Sequence, residues 1–160
     1  MTCERVRGFT LIELVMTVAI MGLLAMVVLP MAEISVRHTK EQNLRVALRE
    51  IRDALDAYKK AVDEGKIARK LGSSGYPESL QLLVDGVNDA KNPKGNSKIY
   101  FLRRIPRDPL EADSNKSDSD TWGKRSYESS ADDPQEGQDV YDVYSLSPDN
   151  GLNGIPYKKW

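Results

Sequence analysis

The chain has 160 residues, and its 23 lysines and arginines nearly balance 24 aspartates and glutamates, for a net charge of −1. This length allows one domain and one further element, and the balanced charge argues against a protein that binds nucleic acid through bulk electrostatic attraction. The single cysteine, Cys3, and the single histidine, His38, exclude a disulfide framework and any histidine-dependent catalysis that does not use His38.

The first predicted element is a membrane-spanning helix over residues 9–29. This run is apolar except for two threonines and Glu13, and at about 1.5 Å per residue it is roughly 30 Å long, enough to cross a bilayer core. Arg5 and Arg7 precede it, so the positive-inside rule predicts a cytoplasmic N-terminus and an exported C-terminal part. A cleaved secretory signal is the alternative, but no A-x-A pattern follows Leu29.

A processing motif lies at the start of this run. Residues 7–13 read RGFTLIE, and this motif resembles the cleavage and methylation signal of type IV prepilins and of the pseudopilins of type II secretion. The resemblance implies a leader peptide at residues 1–8, cut after Gly8 by a prepilin peptidase, and N-methylation of the new terminal residue, Phe9.

Cleavage after Gly8 gives Glu13 a possible charged partner, the new amine of Phe9. A carboxylate inside a membrane span costs roughly 2.5–3.5 kcal/mol, and the new amine at Phe9 carries the opposite charge about 6 Å away along the helix. If copies of the chain stack with a small axial step, the amine of one copy can pair with the carboxylate of its neighbour, which offsets the cost of burying both. We therefore predict that Glu13 sets the register of assembly.

Two further positions predict a weak point in the helix. Pro30 cannot donate to the carbonyl four residues earlier, and Gly22 is a poor helix former. In assembled filaments of the resembled family the segment between the equivalent positions unwinds, and the resemblance implies the same between Gly22 and Pro30. A simple packing kink is the alternative.

The sequence of residues 30–71 predicts that this helix continues as a stem in the periplasm. Gly65 can end it, although residues 67–71 could add another turn. Glu41–Arg45 and Arg52–Asp56 are spaced i,i+4, which predicts ion pairs on the helix surface. Apolar residues recur every three or four positions, and we expect this seam to pack onto the chain's own globular domain rather than in a coiled coil: Leu44, Leu48, Ile51, Leu55, Tyr58 and Val62.

For the remaining residues, 72–160, the sequence predicts a globular periplasmic domain. Tyr76-Pro77 opens a short helix, residues 99–102 are extended, and residues 122–127 and 140–146 alternate as strands. The predicted fold class is α+β, with a long N-terminal helix packed against a small antiparallel sheet, and the resemblance implies a type IV pilin-like fold.

This part of the chain also resembles the major pseudopilin of type II secretion. The stretches YPESLQLLV, LRRIPRDP, WG and DVYSL occur in the family order. The family usually runs its DP directly into WG, whereas here the polar, acidic residues 111–120 (EADSNKSDSD) intervene. Their composition is typical of an exposed insertion.

The resemblance also implies a calcium site, because the C-terminal loop of the family commonly binds this ion. The matching positions are Leu146, through its carbonyl, and Asp149. Calcium takes roughly six to eight oxygen ligands, and a loop held by Asx turns, with Trp160 packed onto the sheet, is the alternative. Three further residues could supply oxygens: Asp142, Asn150 and Asn153.

The sequence places no two carboxylates in one cleft and offers no base for a serine nucleophile, so we do not expect an enzyme. The resemblance implies a structural subunit of a periplasmic pseudopilus that assembles from the inner membrane and supports secretion. Its implied partners are copies of itself, other pseudopilins, a prepilin peptidase and an inner-membrane assembly platform, and no nucleic acid. The alternatives are a type IV pilus pilin or minor pseudopilin and, in another class, a signal-anchored periplasmic binding protein or enzyme.

Overall fold

The computed structural model describes residues 8–92 and 97–160, without the side chains of residues 27–30. The chain divides into two compact units, Met1–Thr39 and Lys40–Trp160. The helices and strands follow in chain order: α1 (Leu11–Asp63), α2 (Gln81–Asp85), β1 (Val87–Asn88), β2 (Lys98–Ile99), β3 (Trp122–Arg125) and β4 (Asp142–Ser145), with 3₁₀ turns at Asp118–Thr121 and Tyr157–Lys159. The predicted α+β class is therefore correct.

Helix α1 ends just before Gly65, so the predicted helical stem over residues 30–71 is too long. Gly65 has a φ of 70°, in the left-handed region that favours glycine. The Lys66 amide donates to the carbonyl of Ala61 and the Gly65 amide donates to that of Val62, both at 2.9 Å. These two bonds form a Schellman motif, which satisfies the last helix carbonyls and turns the chain away.

The apolar seam of α1 lies at the centre of the hydrophobic core of the second unit, as predicted. Leu44, Ile51 and Leu55 are fully buried, and they belong to one cluster with residues of α2, β3 and β4. The spacing of three and four places these side chains on one face of the helix, which the rest of the unit covers.

Two antiparallel pairs of strands replace the single predicted sheet. β1 pairs with β2, and β3 pairs with β4, with Gly123 opposite Tyr144. The predicted extended segment at residues 99–102 contributes only its first residue to a strand. The amides of Phe101 and Leu102 instead donate to the carbonyl of Leu83 in α2, at 3.0 and 2.9 Å, so the chain leaves the strand there.

A buried polar network joins the loop before residues 111–120 to the strands that follow. Asp108 is 2% exposed, and its carboxylate accepts hydrogen bonds from Leu110 N–H at 2.8 Å and from Ser145 Oγ at 2.6 Å. Burial raises the pKa of Asp108 above its ordinary value. The amide of Asp108 donates to Thr121 Oγ1 at 3.2 Å, so this network fixes both ends of the insertion.

The insertion itself is exposed, as predicted. Arg107 donates to the main-chain oxygens of Asp113 and Lys116, the latter at 2.8 Å. Lys116 Nζ lies 2.6 Å from Glu111 Oε2. The segment is therefore an ordered loop held by its own hydrogen bonds and by Arg107.

Candidate functional site

The first candidate site is the start of α1, where the predicted processing and assembly residues lie. From Gly8 to Met26 every residue is exposed, including the large apolar ones. Within the described part of the chain, α1 is the one helix long and apolar enough to cross a membrane. So much exposed apolar surface is unfavourable in water, and this segment therefore requires a lipid or protein environment.

A capping motif positions Glu13 in the first turn of α1. The helix begins at Leu11, which makes Thr10 the N-cap residue, and Thr10 Oγ1 accepts a hydrogen bond from Glu13 N–H at 3.3 Å. Threonine followed three residues later by glutamate is the capping-box pattern, and a carboxylate in the first turn also complements the helix dipole. Sequence reasoning missed Thr10, although the letters TLIE carried this signal.

The carboxylate of Glu13 has no hydrogen-bonded or ionic partner within residues 8–92 and 97–160. Gly8 and Gly22 are exposed. Among the described residues, and apart from chain neighbours and the helix's own backbone, no atom lies within 4 Å of the position that a Cβ would take at either residue. The leader as far as residue 7 and the side chain of Pro30 lie outside the described residues. The helix is continuous at Gly22, and unwinding in an assembled filament stays a prediction.

The second candidate site is the C-terminal loop, residues 146–160, which contains the predicted calcium positions. Glu41 of α1 is 4% exposed, and its Oε1 accepts hydrogen bonds from Leu152 N–H at 2.7 Å and from Tyr157 OH at 2.8 Å. Arg52 of α1 donates from Nη2 to the main-chain oxygen of Trp160 at 2.8 Å. The loop is thus attached to α1 by one carboxylate and one guanidinium group.

These contacts correct two predictions of helix-surface ion pairs. Glu41 was expected to pair with Arg45, but its carboxylate points into the core towards Tyr157. Arg52 was expected to pair with Asp56, but its Nε donates to Asp142 Oδ1 at 2.8 Å. In both cases a tertiary partner distant in sequence replaces the neighbour on the helix.

Two of the five predicted calcium donors, Asp142 and Asn153, are used for other contacts, and the donors that remain are too few to fit the ion. Asp142 accepts hydrogen bonds from Arg52, from the Val143 amide and from Arg125. Asn153 Oδ1 accepts a hydrogen bond from the Ile155 amide at 3.0 Å. Asp149 is then the single acidic side chain left in the loop, whereas calcium requires roughly six to eight oxygens, several of them charged.

Comparison with known proteins identifies the family. Residues 4–29 match the family model described as the prokaryotic N-terminal methylation motif. The chain is 30% identical over 156 residues to the type II secretion system core protein G of Klebsiella pneumoniae. The aligned region covers 96% of this chain and 89% of that protein. The chain belongs to the family of type II secretion system core protein G. It is also 27% identical to the core protein G of Pectobacterium carotovorum subsp. carotovorum, over 94% of this chain and 80% of the relative. No solved structure matches the chain.

Membership of the core protein G family confirms the resemblance seen in the sequence. The chain is a major pseudopilin subunit, a structural protein and not an enzyme, and it assembles with other pseudopilins in the secretion system. The family decides against the alternative of a signal-anchored enzyme. The exposed apolar start of α1 and the methylation motif fit a pseudopilin that is anchored in the inner membrane.

Proposed function

We propose that this chain is stored in the inner membrane and polymerises with copies of itself into a periplasmic pseudopilus that supports protein secretion. The observation that carries the proposal is the first turn of α1. There, the exposed apolar segment of α1 contains a single carboxylate, Glu13, and this carboxylate has no partner among residues 8–92 and 97–160. Such a group within a membrane indicates a functional contact, and a second copy can supply it.

Processing creates the partner of that carboxylate. A prepilin peptidase on the cytoplasmic side cuts after Gly8, and Phe9 is then methylated at its new amine. Two arginines precede the apolar segment, which supports a cytoplasmic N-terminus and a periplasmic Lys40–Trp160 unit. Gly8 is exposed among the described residues, which is compatible with entry into a peptidase site.

Assembly follows from the charge pair. The amine of Phe9 in one subunit lies against Glu13 of its neighbour at the membrane edge, and the pair offsets the cost of burying two charges in an apolar environment. A subunit out of register leaves both charges unpaired. The inner-membrane assembly platform acts on subunits that are already membrane-inserted, and the chain serves as their structural building block.

Mass spectrometry of the N-terminus, on protein isolated from its native cell envelope, tests the processing step. We expect a chain that begins at methylated Phe9. An intact leader on the membrane-bound protein would refute the proposal, because no amine would then exist opposite Glu13.

Substitution of Glu13 tests the assembly step. Glu13→Gln removes the charge, so we expect normal membrane insertion but loss of filaments, measured by membrane fractionation and electron microscopy. Glu33→Gln is the matched control, because Glu33 is another exposed acid of α1, and it should assemble normally. Thr10→Ala separates the two roles of this turn: it removes the side-chain cap and leaves the charge. If Thr10→Ala stopped assembly as completely as Glu13→Gln, the role of Glu13 would be helix capping and not register.

A further inference from the structure

The attachment of the C-terminal loop to α1 suggests how the loop keeps its shape. Glu41 and Arg52, together called the α1 clamp here, lie eleven residues apart in sequence, roughly 16 Å along the helix. They hold the loop at two separate places. Leu152 and Tyr157 bind Glu41, and Trp160 binds Arg52.

The Glu41 end of the clamp is buried. One carboxylate oxygen accepts both the Leu152 amide and the Tyr157 hydroxyl, and Tyr157 is itself 1% exposed. A buried donor that loses its acceptor keeps the full desolvation penalty, so the loop position depends on Glu41.

The Arg52 end ties the loop to the sheet as well as to the helix. The guanidinium group donates to Asp142 Oδ1 at 2.8 Å, to the Val143 carbonyl at 3.2 Å and to the Trp160 carbonyl at 2.8 Å. The Trp160 indole is further fixed by the guanidinium group of Arg45, 4.5 Å from the ring centroid. The guanidinium group of Arg52 therefore forms a hydrogen bond with a carboxylate oxygen of Asp142, one of the predicted calcium donors.

We infer that the α1 clamp, and not a bound calcium ion, holds the C-terminal loop of this chain in place. A calcium ion shapes a loop by drawing several oxygens to one centre. Here the Trp160 carbonyl accepts a hydrogen bond from Arg52, and the Leu152 amide and the Tyr157 hydroxyl donate to Glu41. A carboxylate and a guanidinium group of α1 thus make the cross-links that the ion would otherwise make. The inference concerns the folded unit alone, so it stands or fails independently of filament assembly.

Trypsin cleavage after Lys158 and Lys159 tests the inference, because both residues lie in the loop. The full chain in detergent micelles is digested in calcium and in chelator, and mass spectrometry follows loss of the C-terminal residues. Cleavage after the exposed Lys91 in the same sample serves as the internal reference. The variants are Glu41→Ala, the milder Tyr157→Phe, and Glu50→Ala as a control at another, exposed acid of α1.

We expect the wild-type loop to be cleaved at the same rate in calcium and in chelator. Glu41→Ala should raise that rate about tenfold or more, because two buried donors lose their acceptor, and Tyr157→Phe should raise it by a smaller factor. Glu50→Ala should have no effect. If calcium slowed cleavage of the wild-type loop and Asp149→Asn abolished that protection, a metal site would replace the clamp. A wild-type cleavage rate in Glu41→Ala with chelator would also overturn the inference.

Discussion

The contact between Gly123 and Tyr144 allows a sharp test of how β3 and β4 pack. The two residues lie opposite each other in the antiparallel register, and the tyrosine ring covers the glycine. A methyl group added at Gly123 would lie 2.9 Å from Tyr144 Cδ2 and closer still to Cε2 and Cζ. Carbon atoms do not approach so closely, so Gly123→Ala must displace the ring.

The expected cost of Gly123→Ala follows from two opposing terms. Forcing an extra methyl group into a packed site costs about 1–3 kcal/mol, whereas replacing glycine by alanine in a strand stabilises by roughly 0.5–1 kcal/mol when the space is free. In a Tyr144→Ala background the collision is absent and only the second term remains. The two substitutions should therefore show a coupling free energy of about 2 kcal/mol.

Denaturant unfolding of the full chain in detergent measures all four proteins of this double-mutant cycle. Gly22→Ala is the control, because a Cβ there meets no atom within 4 Å, and it should leave the midpoint of the Lys40–Trp160 unit unchanged. If Gly123→Ala destabilised the chain equally with and without the Tyr144 ring, the collision would not be the cause and the packing argument would be refuted.

Three other predictions use the same unfolding assay or a related one. Leu55→Ala should lower the free energy of unfolding by about 2–5 kcal/mol because Leu55 is fully buried. Val46→Ala is the control, because Val46 is 61% exposed on the same helix, and it should change the free energy of unfolding by less than about 0.5 kcal/mol. Equal effects of the two substitutions would contradict the assigned core. Gly65→Ala should cost about 1 kcal/mol because of the φ of 70°, and faster amide hydrogen exchange in the last turn of α1 would report it. Burial raises the pKa of Asp108 in the folded state above its ordinary 3.8, so its protonation stabilises the fold at low pH, and this stabilisation is lost as the pH rises through the raised value. Asp108→Asn removes this titration, so the fall in the free energy of unfolding as the pH rises above 3.8 should be smaller in the variant. If the free energy of unfolding changed with pH equally in the two proteins, the assignment would be contradicted.

The regular spacing of α1 explains why its buried face could be predicted. A side chain every three or four residues lies on one face of any helix, so Leu44, Ile51 and Leu55 could be assigned to the core before their neighbours were known. The end of α1 was less certain because Gly65 competes with the apolar residues 67–71 that follow it. Only the backbone conformation of Gly65 and its two hydrogen bonds decide the boundary.

The contacts of the C-terminal loop could not be predicted in the same way. Glu41 and Arg52 each have an oppositely charged neighbour four residues later, and this local pattern predicts surface ion pairs. Their actual partners, Tyr157 and Asp142, lie more than 85 residues further along the chain. Sequence spacing carries no information on such distant contacts, so a buried carboxylate and a solvated one look alike in the sequence.

The hydrogen bond between Asp108 and Thr121 has a practical consequence for residues 111–120. Because the amide of Asp108 and the hydroxyl of Thr121 are joined at 3.2 Å, the chain leaves and re-enters the fold at almost the same point. We therefore expect that the loop between them can be lengthened, shortened or exchanged without moving the strands on either side. A peptide epitope grafted there would label the subunit on its surface while both anchoring residues stay in place.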